Sequence, residues 1–234
     1  MKSFKRFLPD FPRTPHLPYK PNVAAGDSVE TEVSCLFNLP EGTILSVQEK
    51  IDGANFGVAL LDGHPVIRNR TKILTKGFYK NTQAKKQFLP AWNWFYQHKD
   101  KFLKLEQADS NLAVYGEWML MTHGLHYDRL PDWFIAYDLY DYEAQQFLSP
   151  HIALPMLRDA GFATVPEIHQ GQLRDWQQLE EWCNQPTPFA TDQKREGLYL
   201  KVGVSYYSTA RYKMVREGFE QGGRWEEGIK NELG

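Results

Sequence analysis

The most informative stretch of this sequence reads Glu49-Lys50-Ile51-Asp52-Gly53-Ala54-Asn55. Strand-like runs precede it over residues 43–48 and follow it over residues 55–61, so the pattern predicts a lysine held at a strand end by an Asp-Gly turn. A lysine with an ordinary pKa of about 10.4 is a poor nucleophile near neutral pH. Burial, neighbouring cations or a phosphate-bound metal must help it to lose its proton. By itself, the heptapeptide fits a surface hairpin with an incidental lysine equally well.

Outward from this stretch, strand-like and helical segments follow one another irregularly. Asp62-Gly63, followed by residues 65–68, predicts a hairpin. One or two amphipathic helices are predicted between Tyr79 and Gln107, with Pro90 dividing them or opening the second. Further strands are predicted at residues 112–118, 133–142, 197–202 and 209–215, and further helices at residues 150–160 and 173–184. This irregular order indicates an α+β fold.

Length and composition are those of a folded globular chain. The 234 residues are 42% hydrophobic and 24% charged, which predicts one domain over residues 1–234. Prolines at 9, 12, 15, 18 and 21 predict an extended N-terminal arm over about residues 1–40. The net charge of -2 excludes a strongly basic coat, so any phosphate-binding surface must come from local clusters.

Targeting signals and cysteine motifs are not evident. Cys35 and Cys183 lie far apart without metal-ligand spacing, and no long apolar stretch follows the basic N-terminus. We therefore expect a cytoplasmic protein with no membrane partner.

Several later segments carry charged and aromatic residues in a specific order. They are Ile67-Arg68-Asn69-Arg70-Thr71-Lys72, Tyr115-Gly116-Glu117-Trp118, Phe134-Ile135-Ala136-Tyr137-Asp138-Leu139, Arg195-Glu196-Gly197-Leu198-Tyr199-Leu200-Lys201 and Arg211-Tyr212-Lys213-Met214-Val215. With Lys50 to Gly53, these segments resemble the ordered motifs of the covalent nucleotidyltransferases, the ligases and capping enzymes that work through lysyl-nucleotide intermediates. Ala54-Asn55 resembles the RNA ligase 2-like branch. The resemblance covers about residues 43–216 and implies an ATP-grasp-like nucleotidyltransferase domain of twisted, mainly antiparallel sheets flanked by helices.

The resemblance implies catalytic roles for a lysine and several cations. Lys50 would take AMP from ATP, and Lys213 and Arg211 would contact the α-phosphate. Arg70, 20 residues after Lys50, would orient the leaving group or a later 5′-phosphate, and Arg216 is the alternative to Arg211 if the register is shifted. Without the other motifs, a basic alternating strand is more often a solvated face.

The same resemblance implies the remaining ligand contacts. Glu196 would lie near a catalytic Mg²⁺ or Mn²⁺, because hard divalent ions favour carboxylate, water and phosphate oxygens. Glu117 would accept from a ribose hydroxyl, and Tyr137 would stack on adenine, although a packing role is the commoner one for a strand aromatic. Glu49 and Asn55, which flank the lysine, are candidates for nucleoside contacts.

Residues 123–131 form a polar loop after the third motif. His123 and His126 suggest a zinc site, but no convincing third ligand follows, so a hydrogen-bonded structural loop is favoured.

Only 18 residues follow Arg216, too few for the OB-fold that DNA ligases and capping enzymes carry there. The resemblance therefore favours an ATP-dependent RNA ligase that joins RNA 5′-phosphate and 3′-hydroxyl ends, with a possible end-healing kinase-phosphatase partner. A DNA ligase, an RNA-end nucleotidyltransferase that does not seal, and a non-enzymatic end-binding protein remain alternatives. The arm, with Arg13 and other basic residues, would either touch a phosphate backbone or wrap the domain.

Overall fold

A computed structural model describes residues 7–24, 26–77, 82–220 and 228–234, with only the backbone of residue 83. In the described residues, ten strands form two antiparallel sheets. The strands are β1 Thr43–Lys50, β2 Ala54–Leu61, β3 His64–Asn69, β4 Ile73–Leu74, β5 Leu112–Trp118, β6 Phe134–Asp141, β7 Gln146–Phe147, β8 Glu167–Gln170, β9 Gly197–Val204 and β10 Tyr207–Val215. The helices are α1 Thr82–Gln97, α2 Lys99–Ala108, α3 Pro150–Asp159 and α4 Trp176–Cys183, with a short 3₁₀ helix at Ser34–Phe37.

The four-stranded sheet has the order β10-β9-β1-β8, and the six-stranded sheet has the order β4-β3-β2-β5-β6-β7. Lys50 ends β1 in the first sheet, and β2 begins the second sheet four residues later. The Asp-Gly turn therefore connects the two sheets. The predicted α+β class is confirmed, and so is its mainly antiparallel character.

The predicted hairpin after β2 is confirmed. Asp62 and Gly63 have φ values of 51° and 74°, the left-handed pair that a tight two-residue hairpin requires. Leu61 pairs with His64 across it.

The helical region differs from the prediction at one point. Pro90 lies inside α1, and the boundary between the two helices falls at His98. The helix continues past the proline because Trp92, Trp94 and Phe95 are buried in the core against the second sheet, and that packing outweighs the lost backbone hydrogen bond. Tyr79, where the prediction began, lies outside the described residues.

The N-terminal arm packs along the outer edge of the first sheet. The Leu17 amide donates to the Lys213 carbonyl at 2.8 Å, and the Lys213 amide donates to the Pro15 carbonyl at 2.9 Å. Leu17, Val33 and Leu36 are buried with the hydrophobic residues of this sheet. The arm thus wraps the fold and covers the edge of β10.

Residues 228–234 pack against the polar loop. The buried Asn231 side chain donates to the Met119 carbonyl at 2.7 Å and accepts from the Tyr127 amide at 2.9 Å. The bond to Tyr127 ties the polar loop to residues 228–234. Within the described residues, no helix is long and apolar enough to cross a membrane.

Candidate functional site

A cleft of about 670 Å³ lies where the two sheets and the arm meet. It is lined by residues of both sheets, so neither sheet forms it alone. Seven predicted site residues line it: Glu49, Lys50, Asn55, Arg70, Glu117, Tyr137 and Lys213. Residues from motifs that are far apart in the sequence thus line the same cleft in the folded chain.

Lys50 occupies the end of β1 and forms an ion pair with Glu196, which precedes β9. Lys50 and Gly197 are directly paired across the two strands, which brings the carboxylate beside the amine. Burial acts to lower the pKa of Lys50, but the charge and hydrogen bond of Glu196, together with the effects of Tyr199 and Asp52, outweigh burial and raise that pKa above its usual value. Burial raises the pKa of Glu196 to about 7, although Lys50 opposes this shift. Lys50 is therefore held as an ammonium ion.

The turn after Lys50 is held by the polar loop. An Asp52 carboxylate oxygen accepts hydrogen bonds from the amides of Gly124 and Leu125, the latter at 2.9 Å, and the Asp52 amide donates to the Tyr127 hydroxyl at 2.9 Å. A Cβ atom at Gly53 would lie 2.7 Å from the Met119 sulfur and 2.9 Å from Glu117 Cγ. Only glycine fits this approach of the turn to β5.

The side chains across the cleft from Lys50 come from β2, β5 and β6. Asn55 pairs with Glu117 across the strands, and its side-chain nitrogen donates to the Tyr137 hydroxyl at 2.6 Å. The Asn55 side-chain oxygen is buried and has no hydrogen-bond partner among the described residues. Burial raises the pKa of Glu117 to about 8, which leaves this carboxyl group mainly protonated at neutral pH.

Two predicted cations besides Lys50 line the cleft, and they differ in their partners. Lys213 is paired at 2.5 Å with Asp27 of the arm, and burial lowers the pKa of this lysine although Asp27 opposes the shift. Arg70 follows β3 and is exposed. Within the part of the chain that is described, its guanidinium forms no hydrogen bond or ion pair.

The side chains of two predicted residues are engaged in other ion pairs. The Glu49 side chain is buried in an ion pair with Arg195 at 3.1 Å. Arg211 is paired with Asp138 at 3.0 Å, stacks 4.3 Å from the Phe147 ring centroid and does not line the cleft. The proposed alternative, Arg216, donates to the Arg195 carbonyl at 3.0 Å.

Other residues of the cleft were not predicted from the sequence. Lys201 is buried beneath Tyr137, with its ammonium nitrogen 5.1 Å from the ring centroid and 2.9 Å from an Asp138 oxygen. Burial lowers the pKa of Lys201 to about 8 although Asp138 opposes the shift. A lysine alternating with apolar residues in β9 was the available signal. Gln48 and Tyr199 also line the cleft.

The polar loop contributes His123 to the cleft, where its ring lies 3.1 Å from the Gln87 side-chain nitrogen. His126 points elsewhere and lies 3.2 Å from the Lys230 carbonyl oxygen. The loop is hydrogen-bonded throughout, as the structural interpretation predicts.

Glu196 offers an oxygen that a divalent cation could use. Glu196 uses one oxygen for Lys50, and its other oxygen is buried without a partner among the described residues. No group of three or more metal-binding side chains occurs in the described part of the chain. The donor set fits Mg²⁺ or Mn²⁺ held by one carboxylate, water and substrate phosphates, but not a cage made by the protein alone.

Several solved structures with a similar fold are titled RNA ligases. A structure titled Naegleria gruberi RNA ligase with PPi matches with a TM-score of 0.59 and 20% identity, over 76% of this chain and 51% of that one. A lysine-to-alanine mutant with ATP and Mn matches with a TM-score of 0.58 and 21% identity, over 80% and 52% of the two chains. The chain therefore spans about half the length of the Naegleria enzyme. No curated protein matches the sequence.

The fold is that of solved RNA ligase structures. The RNA ligase family model matches residues 43–215, more than half of the chain, and the protein belongs to the RNA ligase family. The family predicted from the ordered motifs is confirmed.

Proposed function

We propose that the chain is an ATP-dependent RNA ligase in which Lys50 carries AMP. The observation that carries this proposal is the position of Lys50 in a nucleotide-sized cleft beside Lys213, Arg70 and Glu196. A volume of about 670 Å³ lies within the range of small-ligand sites. The related Naegleria gruberi RNA ligase has been solved with ATP and Mn, and with AMP and Mn.

In the first step, the Lys50 amine attacks the α-phosphorus of ATP. A nitrogen–phosphorus bond forms, the bond to the pyrophosphate oxygen breaks, and the proton leaves the nitrogen. Lys213 and Arg70 stabilise the negative charge on the phosphates in the transition state. Because the ion pair with Glu196 holds Lys50 as an ammonium ion, binding of ATP must first weaken that pair. Arg211 acts indirectly, through its ion pair with Asp138 beside Tyr137.

The nucleoside lies across the cleft from the attacking amine. Glu117 bonds a ribose hydroxyl, and its protonated carboxyl group both donates and accepts. Asn55 offers its unpartnered oxygen to the same sugar. Tyr137 contacts the adenine face. Glu49 contributes through the backbone at the cleft wall, because its side chain is paired with Arg195.

Glu196 is the residue that would hold Mg²⁺ or Mn²⁺. When bound, the cation would neutralise phosphate charge and reduce the negative charge that Glu196 presents to Lys50. Both effects favour loss of the lysine proton.

In the later steps, AMP passes from Lys50 to an RNA 5′-phosphate. The 3′-hydroxyl of a second end then attacks that phosphate, the phosphodiester bond forms, and AMP leaves. RNA is the preferred substrate because the family is that of RNA ligases. Some RNA breaks leave ends that lack a 5′-phosphate or a 3′-hydroxyl group. A kinase-phosphatase partner would convert those ends into the ones that the ligase joins. We expect this repair to occur in the cytoplasm.

The test is incubation with α-labelled ATP and magnesium, followed by nicked RNA with a 5′-phosphate. Wild type should acquire an acid-labile, base-stable phosphoramidate label and then join the nick, while Lys50→Ala should do neither. Equal labelling of the two proteins would refute the central role of Lys50. Labelling with GTP, or transfer without joining, would instead support an enzyme that modifies ends without sealing.

The role of Glu196 has its own test. Glu196→Ala should slow labelling at every magnesium or manganese concentration, whereas Glu181→Ala, a change of an exposed carboxylate in α4, should not. An unchanged rate in Glu196→Ala would remove this residue from the site.

A further inference from the structure

Gln48 belongs to a row of side chains that crosses the first sheet. Tyr199 in β9 is directly paired with Gln48 on one side and with Lys213 on the other. Residues directly opposite in antiparallel strands point to the same face of the sheet. Lys213, Tyr199 and Gln48 accordingly all line the cleft. Gln48 is two residues before Lys50, so it shares the face of the nucleophile.

The orientation of the Gln48 amide is set by its neighbours. The Ser46 hydroxyl donates to a Glu167 carboxylate oxygen at 2.6 Å, because a carboxylate only accepts. The Ser46 oxygen is therefore free to accept, and it accepts from the Gln48 nitrogen at 3.2 Å. The Glu167 carboxylate thereby fixes the orientation of the Gln48 amide, whose nitrogen faces Ser46 and whose oxygen is turned away from it.

The other end of the amide is an unused acceptor. The Gln48 side-chain oxygen is buried and has no hydrogen-bond partner among the described residues, while the whole residue is only 1% exposed. A buried acceptor without a partner is costly, and in a ligand site it marks the position of a missing donor. The expected ligand atom is thus an N–H or O–H donor.

The position of Gln48 identifies which part of a nucleotide it meets. The phosphates belong near Lys50 and Lys213, and Gln48 lies about 7 Å along β1 from Lys50 at strand spacing. Tyr199, Tyr137 and Val165 line the cleft and give it aromatic and apolar surface. Such a surface suits a purine ring better than another phosphate.

We propose that the Gln48 side-chain oxygen accepts a hydrogen bond from the exocyclic 6-amino group of adenine and so selects ATP over GTP. Guanine carries an oxygen at that position, and two acceptors would face each other there. The inference rests on the proposed use of ATP, and it adds the residue that reads the base.

The test compares the binding of ATP with that of purine-riboside triphosphate, which lacks only the 6-amino group. Calorimetry in magnesium buffer should give wild type a dissociation constant about ten-fold lower for ATP, the usual effect of one buried hydrogen bond. The ratio of the two dissociation constants, purine-riboside triphosphate over ATP, measures the contribution of the 6-amino group. In Gln48→Met, which keeps the length of the side chain, this ratio should fall to about one because ATP binds more weakly. Gln170→Met, a change of an exposed glutamine in β8 of the same sheet, should keep the wild-type ratio.

A second variant covers the case in which Gln48→Met does not fold. Ser46→Ala removes the acceptor that orients the amide, so the ratio should again fall. Equal binding of the two nucleotides by wild type would overturn the inference without any variant, and so would an unchanged ratio in Gln48→Met.

Failure of this inference is distinguishable from failure of the proposed function. If Lys50 is labelled by ATP while the Gln48 variants keep their base preference, only the role of Gln48 is wrong. If wild type neither binds ATP nor acquires label, the proposed function fails, and the inference fails with it.

Discussion

Lys50 and Glu196 form the ion pair at the centre of the proposed chemistry. The pair stabilises the ammonium form of Lys50, while transfer of AMP requires the neutral amine. In the proposed mechanism, Glu196 therefore opposes deprotonation of Lys50 while it faces the lysine and favours it once it faces a cation.

Removal of the Glu196 charge should make Lys50 easier to deprotonate. In Glu196→Gln without nucleotide, we expect the Lys50 pKa to fall, so its modification by an amine-reactive reagent should occur at lower pH than in wild type. Peptide mass spectrometry across a pH series measures this change. Glu180→Gln, a change at a surface pair with Lys20, is the control. Superimposable profiles for Glu196→Gln and wild type would show that the pair does not govern Lys50.

Glu117 should make stability depend on pH. Burial raises its pKa to about 8 from an ordinary value of 4.5, so between these values the folded state keeps a proton that the unfolded state has released. Stability contributed by this group therefore falls as pH rises through that window. Glu117→Gln removes this loss. The melting temperature of Glu117→Gln minus that of wild type should therefore be a few degrees larger at pH 8 than at pH 5.

Thermal unfolding at the two pH values measures the effect. The exposed Glu181→Gln variant should show no such pH-dependent difference. A difference for Glu117→Gln that does not grow with pH would mean that Glu117 is ionised in the folded protein.

At the scale of elements, the N-terminal arm is part of the site. Its Asp27 carboxylate lies 2.5 Å from the Lys213 ammonium and 3.3 Å from the His16 ring. Asp27 therefore forms an ion pair with the lysine that is proposed to bind phosphate. Phe11 contacts the Tyr137 ring at 5.5 Å between centroids. Binding of ATP must therefore compete with the arm.

Asp27→Asn should bind ATP several-fold more tightly than wild type, because Lys213 no longer has a competing carboxylate. The same change should lower the melting temperature slightly, since a partly buried ion pair is lost. Calorimetric titration with ATP measures the first effect, and Glu32→Gln on the exposed part of the arm is the control. Weaker binding by Asp27→Asn would mean that Asp27 helps to form the site.

At the scale of the whole molecule, the cleft lies between two sheets joined by the short turn after Lys50. A ligand that contacts β1 and β10 on one side and β5 and β6 on the other ties the sheets together. The free energy of unfolding should then rise with ligand concentration.

ATP at one hundred times its dissociation constant should add about 2.7 kcal/mol to the free energy of unfolding, or about 5–10 °C in melting temperature for a chain of this size. Lys50→Ala should retain most of this shift, because the contacts other than the covalent bond remain. Tyr137→Ala should lose part of it. Scanning calorimetry with and without ATP measures the shift, and an unchanged melting temperature in wild type would contradict binding in the cleft.

Local sequence patterns predicted much of this fold. Leu112–Trp118 matches its predicted strand at both ends, and the Asp62-Gly63 hairpin has the predicted turn. The two-residue strands β4 and β7 were missed, because so short a run carries no periodic pattern. Pro90 was misread, because burial of the surrounding aromatic residues overrides the local preference against proline.

The sequence by itself determined the family, because its ordered motifs resemble those of known ligases and the family model matches residues 43–215. The same resemblance named seven residues that line the cleft. Only the tertiary structure decided the states of those residues. The Asp27 partner of Lys213 is 186 residues away, and the Glu196 partner of Lys50 is 146 residues away. Such contacts leave no periodic signal in the chain. Burial and charge pairing, which set the pKa of Lys50 and leave Gln48 without a partner, arise only when the two sheets and the arm pack together.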